Sequence, residues 1–132
     1  MVNIMQTGII GTASTKVTSE NTAATVGSGL LPVFSTPSMI ALLELAACNC
    51  LEGQLDEGST SVGTLLNIKH LAATPVGMDV RAEATLTEID GRRLVFDIKV
   101  YDEVSLIGEG THERFVVFAE KFLAKTNAKS AK

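Results

Sequence analysis

Over residues 38 to about 51 nearly every position is apolar: Met39, Ile40, Ala41, Leu42, Leu43, Leu45, Ala46 and Ala47. A helix without a polar face is one that the rest of the protein surrounds. Its start is signalled by Ser35-Thr36-Pro37, where Thr36 can cap the free backbone N–H groups and Pro37 has its φ preset for the first turn. Glu52-Gly53 ends it, and Asp56-Glu57-Gly58-Ser59 turns the chain out. Beyond that point the hydrophobic period falls to two. Val62, Leu66, Ile68, His70 and Ala72 share one face of a strand over 61–74. Over 79–89, Val80, Ala82, Ala84 and Leu86 alternate with Arg81, Glu83, Thr85 and Thr87. Asp90-Gly91 is a two-residue hairpin signal, and Leu94, Phe96, Ile98 and Val100 alternate on the return strand. A last strand runs over about 105–118, and residues 8–18 carry a weak strand signal before the flexible Gly27-Ser28-Gly29.

The order is therefore strand, buried helix, then four strands in a meander. It predicts a single α+β domain over residues 1–132 in which an antiparallel sheet of about five strands wraps one long central helix. The uncovered edge and face of such a sheet invite dimerisation. The last stretch, about 121–132, carries Lys121, Lys125, Lys129 and Lys132 and is expected to be a solvated, fraying end.

Composition narrows the function. With 132 residues, 45% hydrophobic and 20% charged, the chain has material for one core, and no Trp with five Phe makes that core aliphatic. A net charge of −4, with basic residues scattered outside the tail, argues against nucleic-acid binding. No apolar run is long enough to span a bilayer, and the N-terminus lacks the basic start and apolar block of a secretory leader. Cys48 and Cys50 are two apart on a helix and project about 200° from each other, so they cannot pair there. A reduced, cytoplasmic protein is expected. Phosphate-binding glycine loops, a Ser nucleophile elbow and metal-ligand clusters are absent, so neither metal nor cofactor is expected.

Glu44 is the residue that fits this picture worst. Its helical neighbours Ile40, Ala41, Ala47 and Cys48 cannot pair with it, and burying a lone carboxylate is costly. Either it snorkels or finds a distant partner, or it is a functional group. Thr36 lies about 80° around the helix from Glu44 and can border the same cleft, although by itself it reads first as an N-cap. His70 ends the apolar face of its strand, where it is either a satisfied core histidine or an acid–base group. His112 and Arg114 share a face with Leu106, Gly108 and Gly110, with an ion pair to a neighbouring strand as the plain alternative.

Several segments, in this order and spacing, resemble the fluoroacetyl-CoA thioesterase-like family of hot-dog proteins. They are Val33-Phe34-Ser35-Thr36, Leu43-Glu44-Leu45-Ala46-Ala47-Cys48 and Ser61-Val62-Gly63-Thr64, followed by His70 through Gly77, Asp90-Gly91-Arg92-Arg93-Leu94 and Gly108-Glu109-Gly110-Thr111-His112-Glu113-Arg114. The resemblance implies a hot-dog homodimer with two active sites at the subunit interface, hydrolysing an acyl-CoA to acid and free CoA. It implies Thr36, Glu44 and His70 as catalytic residues, and Gly63, Arg114 and Phe34 as substrate-binding ones. Glu44 would act as nucleophile or as general base on water, Thr36 would position it or the carbonyl, and His70 would move protons or polarise the attacked group. The fluoroacetate-specific relatives carry phenylalanines in the segment before the helix, where this chain has Gly27-Ser28-Gly29-Leu30-Leu31. A different short acyl group is therefore expected. A non-catalytic acyl-CoA binding or sensing dimer and a hot-dog hydratase are the rivals; no Asp-His motif supports the second.

Overall fold

The structure is a computed structural model and describes residues 5–130. The elements are β1 (Ile10–Lys16), a short α1 (Ala23–Val26), α2 (Thr36–Cys50), β2 (Ser59–His70), β3 (Asp79–Asp90), β4 (Arg93–Tyr101), β5 (Leu106–Phe118) and α3 (Ala119–Asn127). The five strands form one antiparallel sheet in the order β1-β3-β4-β5-β2, so β1 and β2 are its edges.

The alternation in β3 and β4 is realised residue for residue. Ala82, Ala84 and Leu86 from β3, and Leu94, Phe96, Ile98 and Val100 from β4, are completely buried against α2. Burying each Leu, Ile, Val or Phe among them contributes roughly 1.5–3 kcal/mol. The Asp90-Gly91 hairpin forms as expected, with Gly91 at φ +62°. β1 crosses α2 so closely that a Cβ on Gly11 would lie 2.2 Å from the Ala46 carbonyl oxygen. The contact is tied by Asn49 Nδ2 donating to the Thr12 carbonyl at 2.8 Å.

Four expectations are corrected. α2 is covered on one side only: Met39, Leu42, Leu43, Ala46, Ala47 and Cys50 are buried, whereas Ala41, Leu45 and Cys48 face outward. A single curled sheet cannot enclose a helix, so the outer stripe stays apolar and bare in the protomer. The strand expected over 61–74 stops at His70, and a bulge after Gly63 puts Val62 on the face opposite Leu66, Ile68 and His70. In β5 a register shift opposite Val100 and Tyr101 separates Leu106 from the face of Gly108, Gly110, His112 and Arg114. The tail is solvated but helical, since α3 buries no residue. Cys48 and Cys50 are both free. Among the described residues no helix is long and apolar enough to cross a membrane, and no cluster of His, Cys, Asp and Glu could hold a metal ion.

Candidate active site

The mouth of α2 is built by a strap that is fixed on both sides. Phe34 N–H donates to the Thr74 carbonyl at 2.9 Å, Ser35 N–H to the Asn21 carbonyl at 3.0 Å, and Val33 bridges to Pro75. The Thr74 hydroxyl in turn donates to Asp102 at 2.9 Å. Burial works against the Asp102 anion, but N–H groups of Val104 and Ser105 and the Thr74 hydroxyl outweigh it and hold the carboxyl below its ordinary range. The N-cap is Ser35, not Thr36: its Oγ accepts from Ser38 N–H at 3.1 Å and its backbone is extended. Ser35 and Thr36 are equally able to cap, and the Ser38 partner selects the first. Thr36 thereby becomes the first helical residue with its hydroxyl free for other use.

That use is His70. Thr36 Oγ1 lies 2.7 Å from His70 Nδ1, joining the first turn of α2 to the last residue of β2. Burial pushes the His70 imidazole below its ordinary range, so the ring is neutral near pH 7. Its Nε2 is buried and has no hydrogen-bond partner among the described residues. The pair lines an open cleft of about 330 Å³ together with Phe34, Leu71 and Ala72. Phe34 is a wall of this cleft, only 1% exposed.

Glu44 sits two turns further along α2 in a second cluster. Its Oε2 is 3.7 Å from Arg114 Nη1 and 4.0 Å from His112 Nε2, and its side chain is 36% exposed. The partners that its own helix lacks are thus supplied by β5. Arg114 is pinned, with Nε donating to Ser61 Oγ at 2.7 Å and Nη2 to the Ser61 carbonyl at 2.9 Å. Glu109 and Glu113, by contrast, pair with Lys99 and Arg93.

The bulge in β2 makes this cluster possible. With strict alternation Gly63 and Leu66 would point to opposite faces; the extra residue, Thr64, places Gly63 opposite Arg114 and Leu66 opposite His112, all on one face. A Cβ on Gly63 would lie 2.5 Å from Glu44 Oε2, so the space above this glycine is filled by the Glu44 carboxylate itself.

The six residues singled out from sequence therefore fall into two groups: Phe34, Thr36 and His70 at the helix mouth, and Glu44, Gly63 and Arg114 at mid-helix. Eight residues of helix separate Thr36 from Glu44 by about 12 Å, and seven residues of strand separate Gly63 from His70 by roughly 20 Å. Within one protomer the two groups form separate clusters. Sequence reasoning left out Ser61 and left His112 unassigned; the in-phase spacing of His112 with Arg114 was the available signal.

The chain is similar over residues 17–120 to the family of the fluoroacetyl-CoA-specific thioesterase. The fluoroacetyl-CoA thioesterase of Streptantibioticus cattleyicolor is 42% identical over 98 residues, covering 74% of this chain and 70% of that protein. A solved fluoroacetyl-CoA thioesterase superposes with a TM-score of 0.90 at 34% identity, over 96% of this chain and 98% of its own. A thioesterase superfamily member from Thermus thermophilus gives 0.89 at 28% identity, over 97% of this chain and 95% of its own.

Proposed function

Since the chain belongs to the fluoroacetyl-CoA-specific thioesterase family and is a hot-dog thioester hydrolase acting on acyl-CoA, we propose that it cleaves a short-chain acyl-CoA in a homodimer, with Glu44, Thr36 and His70 as catalytic residues. The observation that carries the assignment is the setting of Glu44: a carboxylate on a buried helix, lodged over Gly63 and faced by Arg114. The Arg114 contact, at 3.7 Å, is long enough to leave its lone pairs free for chemistry.

The separation of the two groups supports the dimer. β2 is an edge strand whose middle, Thr64 to Asn67, is exposed, including Leu65 and Leu66. Antiparallel pairing of two such edges about a two-fold axis sets the Ser61–Gly63 end of one strand beside the His70 end of the other. Glu44 of one protomer then meets the Thr36–His70 pair of the partner subunit, and two sites form per dimer.

In each site Glu44 attacks the thioester carbonyl, or takes a proton from the water that does. The C–O bond forms, the C–S bond breaks and CoA leaves as the thiolate, which takes up the proton that Glu44 drew from water on the base route, or one from solvent on the nucleophilic route. The buried His70 Nε2, with no partner among the described residues, suits contact with the carbonyl oxygen or the departing sulfur. On the nucleophilic route, water then hydrolyses the acyl–Glu44 anhydride. Arg114 and Gly63 border the acyl end and Phe34 walls the cleft. The segment before the helix is aliphatic, with Leu30 and Leu31 at 94% and 65% exposure, which suits a short acyl group other than fluoroacetyl. The two free cysteines suit a reducing, cytoplasmic setting.

Free-thiol release from a panel of short acyl-CoAs tests the proposal. Turnover is expected for the wild type and its near-complete loss for Glu44→Gln. Full activity in that variant would overturn the role of Glu44, and acyl-CoA binding without thiol release would replace the enzyme with a sensing dimer.

A further inference from the structure

His112 is the most tightly specified side chain beside Glu44, and the mechanism above gives it no task. It is completely buried and its ring stacks on Phe96, with centroids 6.1 Å apart and planes at 29°. Nδ1 lies 2.9 Å from the Leu65 carbonyl oxygen, next to the β2 bulge. A carbonyl only accepts, so Nδ1 carries the proton. Nε2 lies 3.2 Å from Arg114 Nη1, and a guanidinium only donates, so Nε2 must be bare. The two contacts together select one neutral tautomer. A cationic ring would point an N–H at the Arg114 donor and add a second positive charge beside it.

We propose that His112 is a positioning residue for Glu44: its bare Nε2 accepts from Arg114 Nη1 and fixes the guanidinium that faces the carboxylate. The proposal rests on Glu44 being the reactive group. Ser61 already takes Nε and Nη2 of Arg114, and His112 takes Nη1, so each of the three guanidinium nitrogens has a named acceptor. What remains of Nη1 points toward Glu44 at 3.7 Å. Glu44 consequently has one permanent cation at fixed distance, and a histidine that cannot hand it a proton. The charged groups facing the ring are Glu44 from α2 and Arg114 from β5, with Glu113 acting through the field from the other face of β5. β2 and β4 offer it a carbonyl and a phenyl ring. Burial, aided by Arg114, keeps the imidazole below its ordinary range against the opposing pull of the Leu65 bond, Glu44 and Glu113.

Two substitutions split the ring's two contacts. Asn at 112 keeps a donor for Leu65 and ends short of Arg114, whereas Gln reaches the Nε2 position with an amide oxygen. His112→Asn is expected to lower kcat about 10- to 100-fold with KM changed less than about twofold, as for a displaced reacting group. His112→Gln restores kcat. A role in packing alone would lower the melting temperature of both variants and leave the two alike in kcat. Side-chain ¹⁵N spectra read the same contact without turnover: resolved, slowly exchanging Arg114 Nη signals in the wild type and the Gln variant, merged ones in the Asn variant. Absent thiol release from the wild type would remove the catalytic reading alone, and these spectra would still decide the positioning. Wild-type kcat and Arg114 signals in His112→Asn would overturn it. So would a wild-type ring found cationic, or protonated at Nε2, at pH 7, a measurement that needs no variant to fold.

Discussion

Gly63→Ala isolates the placement of Glu44 from everything else in the fold. The new Cβ would lie 2.5 Å from Glu44 Oε2, 3.3 Å from His112 Cε1 and 3.5 Å from Arg114 Nη1. Only the first contact is severe, and it falls on the end of a flexible side chain. Restoring an ordinary separation of about 3.5 Å requires the carboxylate to retreat by about 1 Å. A misplacement of that size costs on the order of 100-fold in kcat, with little change in KM if the substrate still binds. The backbone has no reason to object. Gly63 is not among the positive-φ glycines, so alanine is unstrained there and slightly reduces unfolded-state entropy, by roughly 0.4–1 kcal/mol. The melting temperature should therefore hold while thiol release collapses. Gly110→Ala is the control: at φ +153° its Cβ would meet the Asn67 carbonyl oxygen at 2.0 Å, a backbone atom that cannot step aside. That variant should lose stability first. A folded Gly63→Ala protein with wild-type kcat would refute the idea that Glu44 works from its seat over this glycine.

Three further outcomes are expected. Mixing Glu44→Gln dimers with His70→Asn dimers and letting them exchange should restore about a quarter of wild-type thiol release, because half the dimers then carry one intact shared site; a site confined to one protomer would give no recovery. Ser35→Ala should cost about 1 kcal/mol of stability with activity largely kept, whereas Thr36→Val should abolish most activity at nearly unchanged stability, as read by urea melts beside thiol release; the reverse pattern would restore Thr36 as the cap. Stability should fall as pH drops below about 6.5, since His70 and His112 resist protonation when folded and accept it when unfolded, with a slope of up to about 1.4 kcal/mol per pH unit for each. Above that pH both states are neutral and the dependence vanishes; urea midpoints equal at pH 7.5 and 5.5 would contradict the depressed values.

The legible parts of the fold are those where one face of an element meets the core without interruption. β3 and β4 are interior strands, and Val80, Ala82, Ala84 and Leu86 on one, with Leu94, Phe96, Ile98 and Val100 on the other, are buried as their alternation foretells. β2 was misread because one inserted residue, Thr64, reverses the facing of everything before it. Nothing in Val62-Gly63-Thr64-Leu65 forces that insertion locally; pairing with β5 does. α1 is a single turn, and α3 buries no residue, so neither belongs to the core that the hydrophobic pattern traces.

The site was legible in a different way, through what was missing around a residue. Glu44 stood out because no residue three or four positions away could answer its charge, and the answer lies 70 residues downstream at Arg114. That Arg114 and His112 point inward follows from their shared phase on β5; that they meet Glu44 follows only once the bulge has opened a hole at Gly63. Thr36 was noticed as a cap, and its freedom to bond His70 exists because Ser35 had already taken the capping role. The deepest gap is the roughly 12 Å between the two halves. Periodicity describes one chain, and a group assembled across a two-fold axis leaves no periodic trace in either copy. What it leaves is an edge strand with an exposed middle, a carboxylate beside one end and a histidine with an unanswered nitrogen at the other. Each is a loose end by itself, and the proposed antiparallel pairing of β2 with its own copy would bring them together.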